Sequence, residues 1–130
     1  IRDLLLTCRV EHEIKANISQ QEIIEEYYFC DLLAFVSTYE GFGLPIIEAQ
    51  AAGRVVLTSN VTSMPEVAGK GALLVDPFSV NEIKEGILKI INDGELRDSL
   101  TAHGRSNVRR FNPSTIAQQY TALYNKVLND

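Results

Sequence analysis

Two carboxylates, Glu40 and Glu48, stand eight positions apart and bracket the segment Gly41-Phe42-Gly43-Leu44-Pro45. An apolar run, Leu32-Leu33-Ala34-Phe35-Val36, leads into this segment, and a helix-like run from Pro45 to Ala52 leads out of it. Glycines at 41 and 43 let the backbone turn sharply and let a ligand approach the main chain closely. At a helix start the amides of Gly43 and Leu44 would be free donors, reinforced by the helix dipole. Pro45 has no N–H and suits the first helical position, where that donor would be idle. A strand, glycine turn and helix in this order hold an anion, with a diphosphate as the natural occupant, outside the carboxyl ends of parallel strands. Glu48, about one turn into the helix, has the reach to accept hydrogen bonds from two sugar hydroxyls, as acidic residues do with ribose in dinucleotide folds. Glu40 precedes the turn and would meet a polar group on the other side of the phosphates. The plainer alternative is that these carboxylates merely favour the dipole of a helix start. The segment is neither a GxGxxG fingerprint nor a P-loop, since no Gly-Lys-Ser/Thr is present.

The elements that must position this segment are legible in order. Residues 1–9 read as the tail of a helix, and the alternation in Glu13-Ile14-Lys15-Ala16-Asn17-Ile18 predicts a short strand. Ser19 with Glu22 forms a capping box for a helix to about Cys30, with Ile23, Ile24, Tyr27 and Tyr28 as packing residues. Leu32–Val36 and Arg54–Thr58 are continuous apolar runs of the kind covered on both faces of a parallel sheet. Gly53 stops the helix between them in the C′ role. Residues 59–63 read as a polar turn whose side chains solvate the backbone. Ser63 and Glu66 predict a second capping box for a short helix 64–68, followed by a turn at Gly69-Lys70-Gly71 and a strand 72–75. Ser79 caps a helix with an apolar stripe of Val80, Ile83, Ile87 and Ile90, and Asn92-Asp93-Gly94 stops it. A helix over 95–110 turns Leu96, Leu100 and Val108 inward. After the break at 111–114, a last helix over 114–128 carries Ile116, Tyr120, Leu123 and Val127. Strands alternating with helices, then helices alone, predict an α/β fold: a three-layer parallel sheet with helices on both faces.

Composition narrows the function. The chain carries a net charge of −5 and shows no basic stripe, since Arg105, Arg109 and Arg110 stand as an isolated group, so a nucleic-acid partner is not expected. Cys8 and Cys30 have no metal-ligand spacing and read as buried reduced thiols, with a disulfide as the alternative. No Asp-x-Asp pair or His/Cys cluster suggests a bound metal, and His12 and His103 read as surface or helix-side residues. Neither a secretory leader nor an apolar run of membrane-spanning length is visible, so a cytoplasmic protein is expected. The opening Ile1-Arg2-Asp3-Leu4-Leu5-Leu6 starts in mid-pattern, as in a piece of a longer protein.

The run Glu40-Gly41-Phe42-Gly43-Leu44-Pro45-Ile46-Ile47-Glu48 closely resembles the E-x7-E motif of the group 1 (family 4) retaining glycosyltransferases, which use nucleotide-sugar donors and have the GT-B fold. The resemblance extends through Ala52-Gly53-Arg54-Val55-Val56, Met64-Pro65-Glu66-Val67, Gly71-Ala72-Leu73-Leu74-Val75-Asp76-Pro77 and the closing amphipathic helices, in the family's order. It implies the Rossmann-like C-terminal half of a GT-B enzyme, lacking its first strands, with the N-terminal acceptor domain outside residues 1–130. It implies that Glu48 binds the ribose hydroxyls, and that Gly43 and Leu44 offer amides to the diphosphate. Phe42 and Gly43 would border the transferred sugar. Glu40, the candidate catalytic residue, would contact that sugar's hydroxyls without serving as a covalent nucleophile. No cofactor or metal is implied. The implied partners are a nucleotide-sugar donor and a sugar, lipid or other hydroxyl acceptor, and the whole protein has scope for peripheral membrane association. Two departures stand out. The family's diphosphate-neutralising Arg and Lys lie before the region present, and Lys15 lacks their context. Phe111-Asn112-Pro113 stands where the family often has Phe-Ser-Trp. The other readings are a non-catalytic α/β binding module and a hydrolase with Glu40 and Glu48 as an acid/base pair.

Overall fold

The computed structural model describes residues 2–129. Its elements in chain order are α1 (Arg2–Thr7), α2 (Gln20–Phe29), β1 (Leu32–Phe35), α3 (Leu44–Ala51), β2 (Val55–Ser59), α4 (Met64–Ala68), β3 (Leu73–Val75), α5 (Val80–Asn92), α6 (Gly94–Val108), a 3-10 turn (Arg109–Phe111) and α7 (Pro113–Asn129). The three strands form one parallel sheet in the order β1-β2-β3, with Leu33 opposite Val56 and Leu57 opposite Leu73.

The central strand explains the layers. All five residues of β2 are buried, because the pleat sends successive side chains to opposite faces and both faces are covered. Val56 joins Ile46 and Ala49 of α3 and Met64, Val67 and Ala68 of α4 in one core cluster. Val55 and Leu57 join Val75, Ile90 of α5 and Leu100 of α6 in a second. Gly86 lets α5 lie close to this second face, since a Cβ there would come within 2.8 Å of Leu57 Cδ1. The expected α/β sheet with helices on both faces is present.

Helix α6 ties the two halves together. Gly104 lies against Gln50 of α3, and a Cβ on Gly71 would sit 2.5 Å from the Gly104 Cα. Beside this close approach, the buried Asn107 amide donates to Gln50 Oε1 (2.9 Å) and to the Val67 carbonyl (2.8 Å). Gln50 in turn donates to the Ala68 carbonyl at 2.9 Å. Buried amides that find all their partners fix how helices sit on one another.

Several expectations need correction. Residues 13–18 form no strand; Ile14 is exposed, and an alternating segment with no neighbouring strand has no ladder to join. Cys8 is exposed rather than buried, and Cys30 is half-buried; both are free thiols. Burial raises the Cys30 thiol above its usual range, with nearby Arg54 opposing the shift. Val80 does not join the α5 stripe and is exposed, whereas Ile83, Ile87 and Ile90 pack as expected. Tyr28 and the α7 residues Tyr120, Leu123 and Val127 are also exposed. Asp93 closes α5 and then caps α6, its Oδ1 accepting from the Leu96 amide at 2.9 Å.

Candidate functional site

The loop from Val36 to Gly43 leaves the carboxyl end of β1 and enters α3. Its main chain has few regular partners, and hydroxyls from β2 and the β2–α4 connection supply them. Thr58 Oγ1 donates to the Phe35 carbonyl (2.7 Å), and Ser59 Oγ donates to the Ser37 carbonyl (2.6 Å). Ser63 Oγ shares its proton between the carbonyls of Glu40 and Phe42, each 3.0 Å away. Thr62 Oγ1 accepts from the Glu40 amide at 3.4 Å. Thr62 does so with a φ of +56°, a left-handed conformation that costs a β-branched residue about 1–3 kcal/mol. The hydroxyls at 58 and 59 therefore serve the loop's backbone, as a polar segment after a strand suggests. Ser63 does not cap α4, and the expected capping box with Glu66 is absent. Ser63 has φ of −79° and ψ of −17°, helical angles rather than the extended ones of an N-cap.

Gly43 is the N-cap of α3, with φ of +97°. A side chain there would be strained by conformation and would press on Ile46 Cδ1 at 3.1 Å. Gly41 differs: its φ is outside the left-handed region, and nothing lies within 4 Å of where a Cβ would project. It leaves open space beside the loop rather than enabling a turn. Helix α3 begins at Leu44, one residue earlier than expected, so Pro45 takes the second helical position. The Ile46 amide bonds back to the Gly43 carbonyl at 3.0 Å, while the Gly43 and Leu44 amides have no partner among the described residues. Free amides at a helix start attract an anion.

The two carboxylates are held separately. Glu40 Oε1 accepts from Ser37 Oγ at 2.8 Å within the loop. Glu48 Oε2 accepts from the Tyr27 hydroxyl at 2.9 Å, across from α3 to α2. Burial first, and then the hydrogen bond to Glu48, raise Tyr27 well above the usual phenol range. Glu48 borders two grooves. One, of about 310 Å³, is lined by Gln20, Ile24, Tyr27, Tyr28, Ala51 and Ala52. The other, of about 400 Å³, runs beside Ile47, Arg109, Phe111 and Pro113. Phe42 is partly exposed and packs edge-on against Phe111, ring centroids 5.7 Å apart. The Arg110 guanidinium stacks on the same Phe111 ring at 5.2 Å. Leu44 presents its side chain to solvent.

The structure thus gathers Glu40, Phe42, Gly43 and Leu44 on one loop and helix start, with Glu48 on the α2 side of the same helix. The two carboxylates share no bonding partner, which gives no support to a coupled acid/base pair. Lys15 is engaged elsewhere, bonded to Glu26 of α2 at 2.6 Å. Sequence reasoning left out Ser37, Thr62, Ser63 and the hydroxyl of Tyr27. A run of hydroxyl residues after β2 was a signal for the second and third. Among the described residues no group of His, Cys, Asp and Glu could hold a metal ion, and no helix is long and apolar enough to cross a membrane.

The chain is 43% identical over 100 residues to the O-antigen chain mannosyltransferase B of Escherichia coli, covering 75% of this chain and 26% of that protein. It is 34% identical over 110 residues to the capsular polysaccharide biosynthesis glycosyltransferase CapM of Staphylococcus aureus, covering 82% of this chain and 29% of that protein. The chain therefore spans about a quarter of the length of these curated relatives. Among solved structures, sucrose-phosphate synthase from Thermosynechococcus elongatus matches with a TM-score of 0.80 at 28% identity, over 98% of this chain and 33% of that one. Anabaena HepE, solved in complex with UDP and glucose, matches in fold with a TM-score of 0.81 at 24% identity, over 96% of this chain and 35% of its own. These neighbours are GT-B glycosyltransferases, and the Rossmann-like α/β layers agree with theirs. The family pattern described as glycosyl transferases group 1 matches residues 3–107, a stretch that holds the glycine loop, both carboxylates and the sheet beneath them, and by that match the chain belongs to the group 1 glycosyl transferases.

Proposed function

We propose that residues 1–130 are the donor-binding part of a retaining enzyme that transfers a hexose from a nucleoside-diphosphate sugar to a hydroxyl acceptor. The observation that carries this reading is the start of α3. Unpartnered amides at Gly43 and Leu44 lie between two carboxylates, each already oriented by a hydroxyl. In this reading the diphosphate lies against those amides and the positive end of α3. Glu48 accepts hydrogen bonds from the ribose hydroxyls. Phe42 and Gly43 border the transferred sugar, and Glu40 holds that sugar's hydroxyls.

The reaction breaks the bond between the sugar's anomeric carbon and the diphosphate oxygen, and forms one to the acceptor oxygen. The acceptor's proton passes to the departing diphosphate on the same face, so configuration is retained. The chain's contribution is positioning and stabilisation of charge on the leaving diphosphate. No metal or cofactor is required in this reading. The acceptor is supplied with its contacts by a preceding domain, and the protein works in the cytoplasm or against a membrane surface.

The test is sugar transfer by the intact protein across a panel of UDP-, GDP- and ADP-sugars. Mannosyl donors come first, because two relatives are named mannosyltransferases. Turnover with one donor and release of its nucleoside diphosphate supports the reading. Tight binding of every candidate donor without turnover supports a non-catalytic module instead. The 130-residue chain alone is expected to be inactive, and turnover by it would refute the dependence on a preceding domain.

A further inference from the structure

We propose that Tyr27 is a positioning residue for Glu48, and that its hydroxyl sets how strongly the site prefers ribose to 2′-deoxyribose. The inference rests on the assignment of Glu48 to the ribose and extends it to a residue on a different helix. Sequence patterning puts Tyr27 among the packing residues of α2. The structure gives it two tasks.

The ring is one. Tyr27 packs against the core cluster built on Ile46 and Ala49, and among the described residues it is the α2 side chain that does so. The start of α2 is fixed independently by the Ser19–Glu22 capping box. With both points set, the hydroxyl is delivered to one place.

The hydroxyl is the other. It donates to Glu48 Oε2 at 2.9 Å across 21 positions of sequence. No other group of the described residues bonds to this carboxylate, so Oε1 is left for a ligand. A glutamate on a helix surface has freely turning torsions, and a ligand that uses it must arrest them. Here a half-buried phenol has already done so, and the ligand meets a carboxylate with one oxygen held and the other offered. The phenol is a dependable donor, because burial and the neighbouring carboxylate keep it protonated through the neutral and mildly alkaline range.

The experiment uses the intact protein and titration calorimetry. The tightest binder among UDP, GDP and ADP is compared with its 2′-deoxy counterpart, for the wild type, Tyr27→Phe and Glu48→Ala. Tyr27→Phe keeps the ring and its packing and removes the hydroxyl alone. The wild type is expected to prefer the ribonucleotide. Tyr27→Phe should cut that preference roughly fivefold, the scale of one net hydrogen bond, and Glu48→Ala should abolish it. In turnover assays Tyr27→Phe should raise donor KM and leave kcat unchanged. If Tyr27→Phe weakens both nucleotides equally, the hydroxyl only braces α2 and the proposal fails. If Glu48→Ala removes the preference and Tyr27→Phe retains it, the proposal fails while the ribose assignment stands. If Glu48→Ala itself leaves the preference intact, the ribose assignment fails and this inference with it.

Discussion

Glu40 and Glu48 look equivalent in sequence, but the structure supports them by different means. Glu40 rides on a loop whose carbonyls are pinned by Ser59 and Ser63 and whose own amide leans on Thr62. Its aim depends on Ser37 in the same loop and on hydroxyls of β2 and the β2–α4 connection that hold the loop's backbone. Glu48 rides on a packed helix, between buried Ala49 and buried Ile46, and is steered by one phenol. A loop held by hydroxyls can shift as charge moves during a reaction. A helix seated in a core cannot, and suits recognition of a fixed group. In the proposed function, this contrast suits Glu40 to turnover and Glu48 to binding.

The comparison breaks or sharpens through three substitutions in the intact protein. The largest effect is expected from Glu40→Ala, which should lower kcat about 10²-fold or more, the scale of a reacting group left misplaced. Affinity for the nucleoside diphosphate without its sugar should stay at the wild-type value; a matching loss of that affinity would erase the distinction between the two carboxylates. Glu48→Ala should weaken nucleoside-diphosphate binding roughly a hundredfold, as two charge-assisted hydrogen bonds disappear. Calorimetry that finds unchanged affinity sinks the ribose role. Ser63→Ala should act more mildly, lowering kcat about tenfold and costing about 1 kcal/mol in denaturant unfolding, because loop carbonyls lose their donor. Nucleoside-diphosphate affinity should not follow. If Ser63→Ala disturbs binding and turnover alike, the loop and the helix behave as one unit.

What was legible in the sequence was local. The apolar runs at 32–36 and 54–58 marked strands, and β2 is buried on both faces as such a run suggests, whereas β1 lies at the sheet edge, is only partly buried and exposes Ala34. Ser19 and Glu22 formed their capping box because both partners lie within one turn. Ser63 and Glu66 carry the same signature and form none: Ser63 has helical rather than extended backbone angles, and its hydroxyl is turned to the carbonyls of Glu40 and Phe42, more than 20 positions away. Spacing alone holds no trace of such a distant partner. The pairing of α5 with α7 teaches the same point. Both are amphipathic, yet Ile83, Ile87 and Ile90 reach the second core cluster while Tyr120, Leu123 and Val127 stay exposed. A stripe announces that a helix wants a partner, not that the partner is within reach. Within the candidate site, the glycine turn and the carboxylates were readable by type. The hydroxyl that aims Glu48 was not, because Tyr27 acts from another element, whereas Ser37 aims Glu40 from within the same loop.

The amide pair of Gln50 and Asn107 has a consequence in time as well as in space. It joins residues 57 positions apart, so the chain must close a long loop before either amide can be satisfied, and contacts of that separation form late and slowly. Gln50 sits on α3 only two residues beyond Glu48. The buried amide on the helix that carries Glu48 is therefore satisfied only when α6 has folded back over it. Strands β1 and β2 need no such closure to pair, so we expect the candidate site to be completed late in folding, and Asn107→Ala to speed unfolding more than it slows folding.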